Sequence, residues 1–181
     1  MKNIEIGGLK VVISWLVVFA LRLIPHRIPN IEGVMATIMP FSKRFGVISS
    51  FVYGALSIAL YDFVVGQVGS WTISTSVTYG IVGVASALFF RNRKGSRTNF
   101  VIFAIVGTLF YDAVTGVAMG PLLYGQPLSE AFFGQIPFKL YHLAGNIVLS
   151  AVVSPLLYKW VIEEEKLEVD VLWAKLFART T

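Results

Sequence analysis

The sequence predicts an all-α membrane protein, a bundle of about six transmembrane helices with both termini in the cytoplasm. Three observations predict it. Of 181 residues, 56% are hydrophobic and only 14% are charged, against about 25% charged in ordinary soluble domains. The mean hydropathy is +0.74. The few charges gather in short interruptions between long apolar runs. A bilayer imposes that pattern, because an ionisable side chain at its centre costs about 2.5–3.5 kcal/mol even on a lenient scale.

A span needs about 20 apolar residues. The first candidate runs from about Leu9 to Ile24 and stops in the loop Pro25-His26-Arg27-Ile28-Pro29-Asn30. Its basic start resembles a secretory signal. No small-residue cleavage site follows, so it is expected to stay as a helix. The second stretch, Ile31–Phe41, is short and ends at Ser42-Lys43-Arg44; the third runs from Phe45 to Val65 and closes in Gly66–Ser70. The fourth covers Trp71–Phe90 and precedes the most basic segment, Arg91–Arg97. The fifth is Asn99–Met119, a loop is expected over Gly120–Pro137, and the sixth span is Phe138–Ile162. Residues 1–162 therefore form the membrane domain. Residues 163–181 read as a tail with an amphipathic helix on the inner membrane face, Leu172, Trp173, Leu176 and Phe177 forming its apolar side.

Lys and Arg orient the bundle. With the N-terminus inside, the inside turns hold Lys43-Arg44 and Arg91/Arg93/Lys94/Arg97, while Gly66–Ser70 and Gly120–Pro137 contain neither residue type. The net charge of +5 is explained by these turns and by anionic headgroups, so no nucleic-acid partner is expected. There is no cysteine, hence no disulfide framework or thiolate metal site. Phosphate-binding loops and zinc-protease or hydrolase motifs are missing, which argues against an ATPase or a common hydrolytic enzyme. No cofactor or metal is expected.

The ionisable groups beside the spans carry the functional reading. Tyr61-Asp62 and Tyr111-Asp112 belong to a weak repeat, Tyr-Asp-x-Val-x-Gly, near the outer ends of the third and fifth spans. Arg22 lies at a similar depth. Either Arg22 pairs with the aspartates to lock helices together, or the group lines an outward cavity; both readings are open. On the sixth span Gln135, Lys139, His142 and Asn146 are spaced 4, 3 and 4 apart, one face of a helix. Lipid cannot face four such groups cheaply, so the stripe predicts a ligand-binding face, with a proton relay through His142 as the weaker alternative. The outer loops add His26, Arg27, Asn30, Glu32, Trp71, Tyr124, Gln126 and Glu130. Ala55-x-x-x-Ala59 and Gly83-x-x-x-Ala87 permit close helix contact.

Six short helices, inside termini, the Pro-rich loop Ile24–Asn30 before a short second helix, and Phe45-Gly46…Gly54-Ala55 after the basic turn together resemble the substrate-binding S component of an energy-coupling factor transporter. The resemblance covers roughly residues 9–162. It implies a cell-membrane protein that captures a vitamin-like solute from outside and works with a transmembrane coupling protein and cytoplasmic ATPases. It also implies a site of Asp112, Lys139, His142 and Asn146, with Gln135 and Tyr124 nearby and Arg27 and Asn30 in a cap. Members often carry Ala-x-x-x-Ala on the first helix for coupling; here Ala55 and Ala59 on the third are the nearest match. Thiamine-, pterin-, flavin- and corrinoid-like ligands fit the lining equally. The competing readings are a scaffold of the cell envelope and a stand-alone proton-coupled transporter.

Overall fold

The computed structural model describes residues 8–24 and 31–171. These form seven α-helices: α1 Gly8–Arg22, α2 Val34–Val64, α3 Ser70–Phe90, α4 Arg97–Asp112, α5 Met119–Tyr124, α6 Leu128–Gly134 and α7 Ile136–Leu157. Among the described residues there is no strand. Four stretches are long and apolar enough to cross a membrane: 34–64, 70–90, 97–124 and 136–162. Arg27 and Asn30, and Leu172, Trp173, Leu176 and Phe177 of the tail, lie outside the described residues.

The second and third apolar segments share one element, α2. The turn expected at Ser42-Lys43-Arg44 stays helical, and the chain bends at Gly46, whose φ of 77° only glycine adopts without strain. The second departure is Gly120–Pro137, expected as a loop and largely helical in α5 and α6. Phe132 and Phe133 are exposed there. Apolar stretches this short carry no full helical period, so the turn residues between them outweigh it in the sequence.

The first arm of α2 is the centre of the bundle. Residues 33–42 are all buried, and Val34, Met35, Ala36, Ile38 and Met39 have no exposed surface. The surrounding helices reach this arm through glycines. A Cβ on Gly54 of α2 or Gly83 of α3 would press on Ile38, on Gly107 of α4 against Met35, and on Gly145 of α7 against Ile31. Small residues let helices approach closely in a bilayer, where the hydrophobic effect gives no drive between helices.

Hydroxyls tie the bundle laterally. The Trp15 indole donates to Ser57 Oγ at 3.0 Å, and the Tyr53 hydroxyl reaches from the second arm of α2 to Thr37 Oγ1 on the first, also at 3.0 Å. Ser42 and Ser86 join α2 to α3 at 2.5 Å, and Ser154 Oγ donates to the Ala36 carbonyl at 2.7 Å.

Ends are set by local chemistry. Ser96 caps α4 by accepting from Asn99 N at 3.3 Å. Gly66, with φ 69°, closes α2 while Gln67 N returns to the Asp62 carbonyl at 2.8 Å. At the end bearing the basic turns, Lys10 is buried in α1; its Nζ donates to the Ile162 carbonyl at 2.8 Å and pairs with Glu168 at 2.5 Å. Arg44 joins the same carboxylate at 3.3 Å. The Lys10 hydrogen bond holds the Glu168 carboxyl below its ordinary range. The tie is therefore whole at neutral pH and weakens as pH falls through the carboxylate range.

A Cβ on Gly83 would strike the Ser50 carbonyl, and one on Gly54 the Tyr79 carbonyl. Gly83→Ala and Gly54→Ala are each expected to destabilise the bundle by about 1–3 kcal/mol through overpacking. Gly134→Ala, where an added Cβ meets nothing within 4 Å, is expected to be neutral. Thermal melts in detergent, followed by loss of the monodisperse species, check the comparison.

Candidate functional site

Away from the basic turns, side chains from five elements meet in a polar cluster. Glu32, just before α2, is its hub. The Tyr79 hydroxyl of α3 donates to Glu32 Oε1, and Arg22 Nη1 at the end of α1 stands 3.2 Å from Oε2. The Arg22 guanidinium also lies over the Tyr61 ring, 3.8 Å from its centroid. His142 of α7 presents Nε2 to Glu32 Oε1 at 3.5 Å and Nδ1 to Asp112 Oδ1 of α4 at 2.6 Å. Two carboxylates thus face the two ring nitrogens. One turn further along α7, Asn146 Nδ2 donates to Thr108 Oγ1 at 2.9 Å.

Aromatic rings wall the cluster. Tyr79 and Tyr111 lie 4.3 Å apart at their centroids, and Tyr111 and Phe138 present edges to the His142 ring at 5.7 and 5.8 Å. Burial is nearly complete: His142 is 2% exposed, Asp112 1% and Asn146 0%. Asp112 Oδ2 and Asn146 Oδ1 are buried acceptors without a hydrogen-bond partner among the described residues. Leaving such atoms unpaired costs about 1–3 kcal/mol each.

The residues singled out in the sequence are distributed as follows. The α7 stripe lies on one face: Gln135 and Lys139 half-buried, His142 and Asn146 buried. Lys139 Nζ lies 5.2 Å from the centre of the Phe132 ring. Asp112 joins His142. Asp62 stands apart from that group, accepting from Thr72 Oγ1 at 2.7 Å; the same Thr72 oxygen accepts from Gly69 N at 3.0 Å and so starts α3. Ala55 and Ala59 are half-buried on the second arm of α2. Glu32 and Tyr79 were not among the expected site residues. Glu32 reads in the sequence as a loop acid, although it is the acid nearest the central arm; Tyr79 hides in an apolar span.

A pocket of about 220 Å³ opens beyond this cluster, between the first turns of α3, the π-helical stretch Ala113–Ala118 and α5. Trp71, Thr115, Gly116, Tyr124, Gln126 and Gln135 are among its lining residues. The Tyr124 hydroxyl and Ser70 Oγ meet at 2.8 Å at its rim. Asp112, Lys139, His142 and Asn146 do not line it. Gln135, at the start of the α7 face, connects the two parts. Helical π-turns of this kind recur at binding sites because they displace side chains from the α register.

Long apolar helices around a polar cluster and a lined pocket define a multi-pass membrane protein that binds a solute. The model of the family described as ECF-type riboflavin transporter, S component, matches residues 8–164, and the chain belongs to that family. It is a membrane-embedded substrate-binding subunit for vitamin uptake, and not an enzyme. No curated protein matches the chain, and no solved structure does.

Removing one member of a buried ion pair strands the other, at about 3–5 kcal/mol. Arg22→Ala is therefore expected to lower the melting temperature by leaving the Glu32 carboxylate with only Tyr79 and His142 to compensate it. Arg22→Ala combined with Glu32→Gln is expected to recover part of that loss. A double-mutant thermal cycle reads the coupling; additive losses would mean that the two side chains do not act together.

Proposed function

We propose that this chain captures riboflavin from the outer face of the cell membrane and passes it inwards with a transmembrane coupling protein and two cytoplasmic ATPases. The observation that carries the reading is the pocket whose Gln135 begins the α7 face running on to Lys139, His142 and Asn146. Family membership favours the flavin among the ligand classes that the residues leave open. Counting the two arms of α2 separately supports six crossings: α1, both arms, α3, α4 with its π-helical extension, and α7. The charge pattern of the turns supports cytoplasmic termini and a pocket facing outwards.

In this reading Asp112, Lys139, His142, Asn146, Gln135 and Tyr124 form the site, Arg27 and Asn30 cap it, and Arg22 and Asp62 brace the helices around it. Ala55 and Ala59 offer a small-residue face to the coupling protein. The scaffold reading has one observation in its favour, the packing of His142 against Asp112 and Glu32.

Titration of the purified protein in nanodiscs with riboflavin, following flavin fluorescence, separates the two. Saturable one-to-one quenching is expected, with no comparable binding of thiamine, folate or cobalamin. Lys139→Ala and Asn146→Leu are each expected to weaken binding about tenfold, or about 1.4 kcal/mol, with the melting temperature of the apo protein held. Unchanged affinity in both removes them from the site. Failure to bind any vitamin moves the reading to a scaffold, and uptake without ATPases to a secondary transporter.

A further inference from the structure

The pocket is smaller than a whole vitamin requires: about 220 Å³, against about 300 Å³ at the lower end of small-molecule sites. It holds one part of the ligand, and its lining says which. Among the described residues, no Asp, Glu, Lys, Arg or His lines it. Hydroxyls of Ser74, Thr75 and Thr115 and the carboxamides of Gln126 and Gln135 gather there instead.

The hydrogen bonds within the lining sort these groups. Thr75 Oγ1 donates to the Trp71 carbonyl and Thr115 Oγ1 to the Tyr111 carbonyl, each at 2.8 Å. Both hydroxyl protons are thereby committed to the backbone, which leaves each oxygen available only as an acceptor. The two carboxamides make no hydrogen bond among the described residues. They sit against glycine backbone: a Cβ on Gly116 would stand 2.7 Å from Gln135 Oε1, and one on Gly120 2.5 Å from Gln126 Oε1. Whichever way each amide is turned, it brings both a donor and an acceptor. The half-exposed Trp71 indole supplies a flat wall.

Acceptors and amide donors side by side match a run of neighbouring hydroxyls, each of which both donates and accepts. Trp71, Met119 and Leu123 give the same pocket an apolar side against which the carbon chain of such a group packs. We propose that this pocket is the subsite for the polyol side chain of the vitamin and that Gln135 is the residue that reads it. The inference rests on the flavin reading above, and its test is separable from that reading.

Riboflavin and lumiflavin, which keeps the ring system and carries a methyl group in place of the polyol, are titrated against the wild-type protein, Gln135→Leu and Ser74→Ala in nanodiscs. The wild type is expected to prefer riboflavin. Gln135→Leu is expected to weaken riboflavin binding about tenfold, the worth of one good ligand hydrogen bond, and to leave lumiflavin binding unchanged. Ser74→Ala, the milder variant if Gln135→Leu does not fold, is expected to show the same selectivity with a smaller loss. Equal losses for both ligands, or no loss for riboflavin, overturn the polyol assignment while leaving the flavin reading intact. Failure of riboflavin to bind the wild type overturns both.

Discussion

The structure depends on placing one short helical arm, Val34–Ser42, inside the bundle. Its residues are buried on every side, so the neighbouring helices must come within glycine distance of it. Gly54, Gly83 and Gly107 are the positions where they do, and Gly145 meets Ile31 just before the arm. The arm also begins below the ends of its neighbours, since Glu32 meets Tyr79 near the middle of α3. A carboxylate carried to that depth must be compensated, and Arg22, Tyr79 and His142 supply the charge and hydrogen bonds.

That requirement explains why the structural and the binding features share residues. Arg22 and Glu32 hold the end of α1 to the start of α2, while His142 carries the same network to Asp112 and so joins α7 to α4. None of these four side chains lines the pocket, so the network braces the helices and not the pocket wall. The mouth is different. It is built from short helices, a π-helical stretch and two glutamines whose carboxamides make no hydrogen bond among the described residues, so its geometry can adjust to a ligand at low cost.

The opposite end follows another logic. Lys10 is a buried cation made tolerable by the Ile162 carbonyl and Glu168, with Arg44 on the same carboxylate. This network fastens α1, α2 and the end of the last span together near the basic turns. Helix α1 is thereby fixed at both ends by ion pairs, while Leu9, Val12 and Leu16 on its flank are exposed.

Much of this was legible in the sequence, for physical reasons. Low charge and long apolar runs determined a helical membrane protein, because backbone groups in lipid must be satisfied within the helix. The 4, 3, 4 spacing from Gln135 to Asn146 determined an inward polar face, because helical period alone decides which residues align. The sequence could not show which partners meet that face. Asp112 and His142 are 30 residues apart, Glu32 and Tyr79 are 47 apart, and only packing around the buried arm brings them together. The same holds for the bend at Gly46 and the helices within Gly120–Pro137, where short apolar stretches read alike as loop or helix until neighbours bury one side. Composition and periodicity act along the chain. Partner choice acts across it, and tertiary packing decided it.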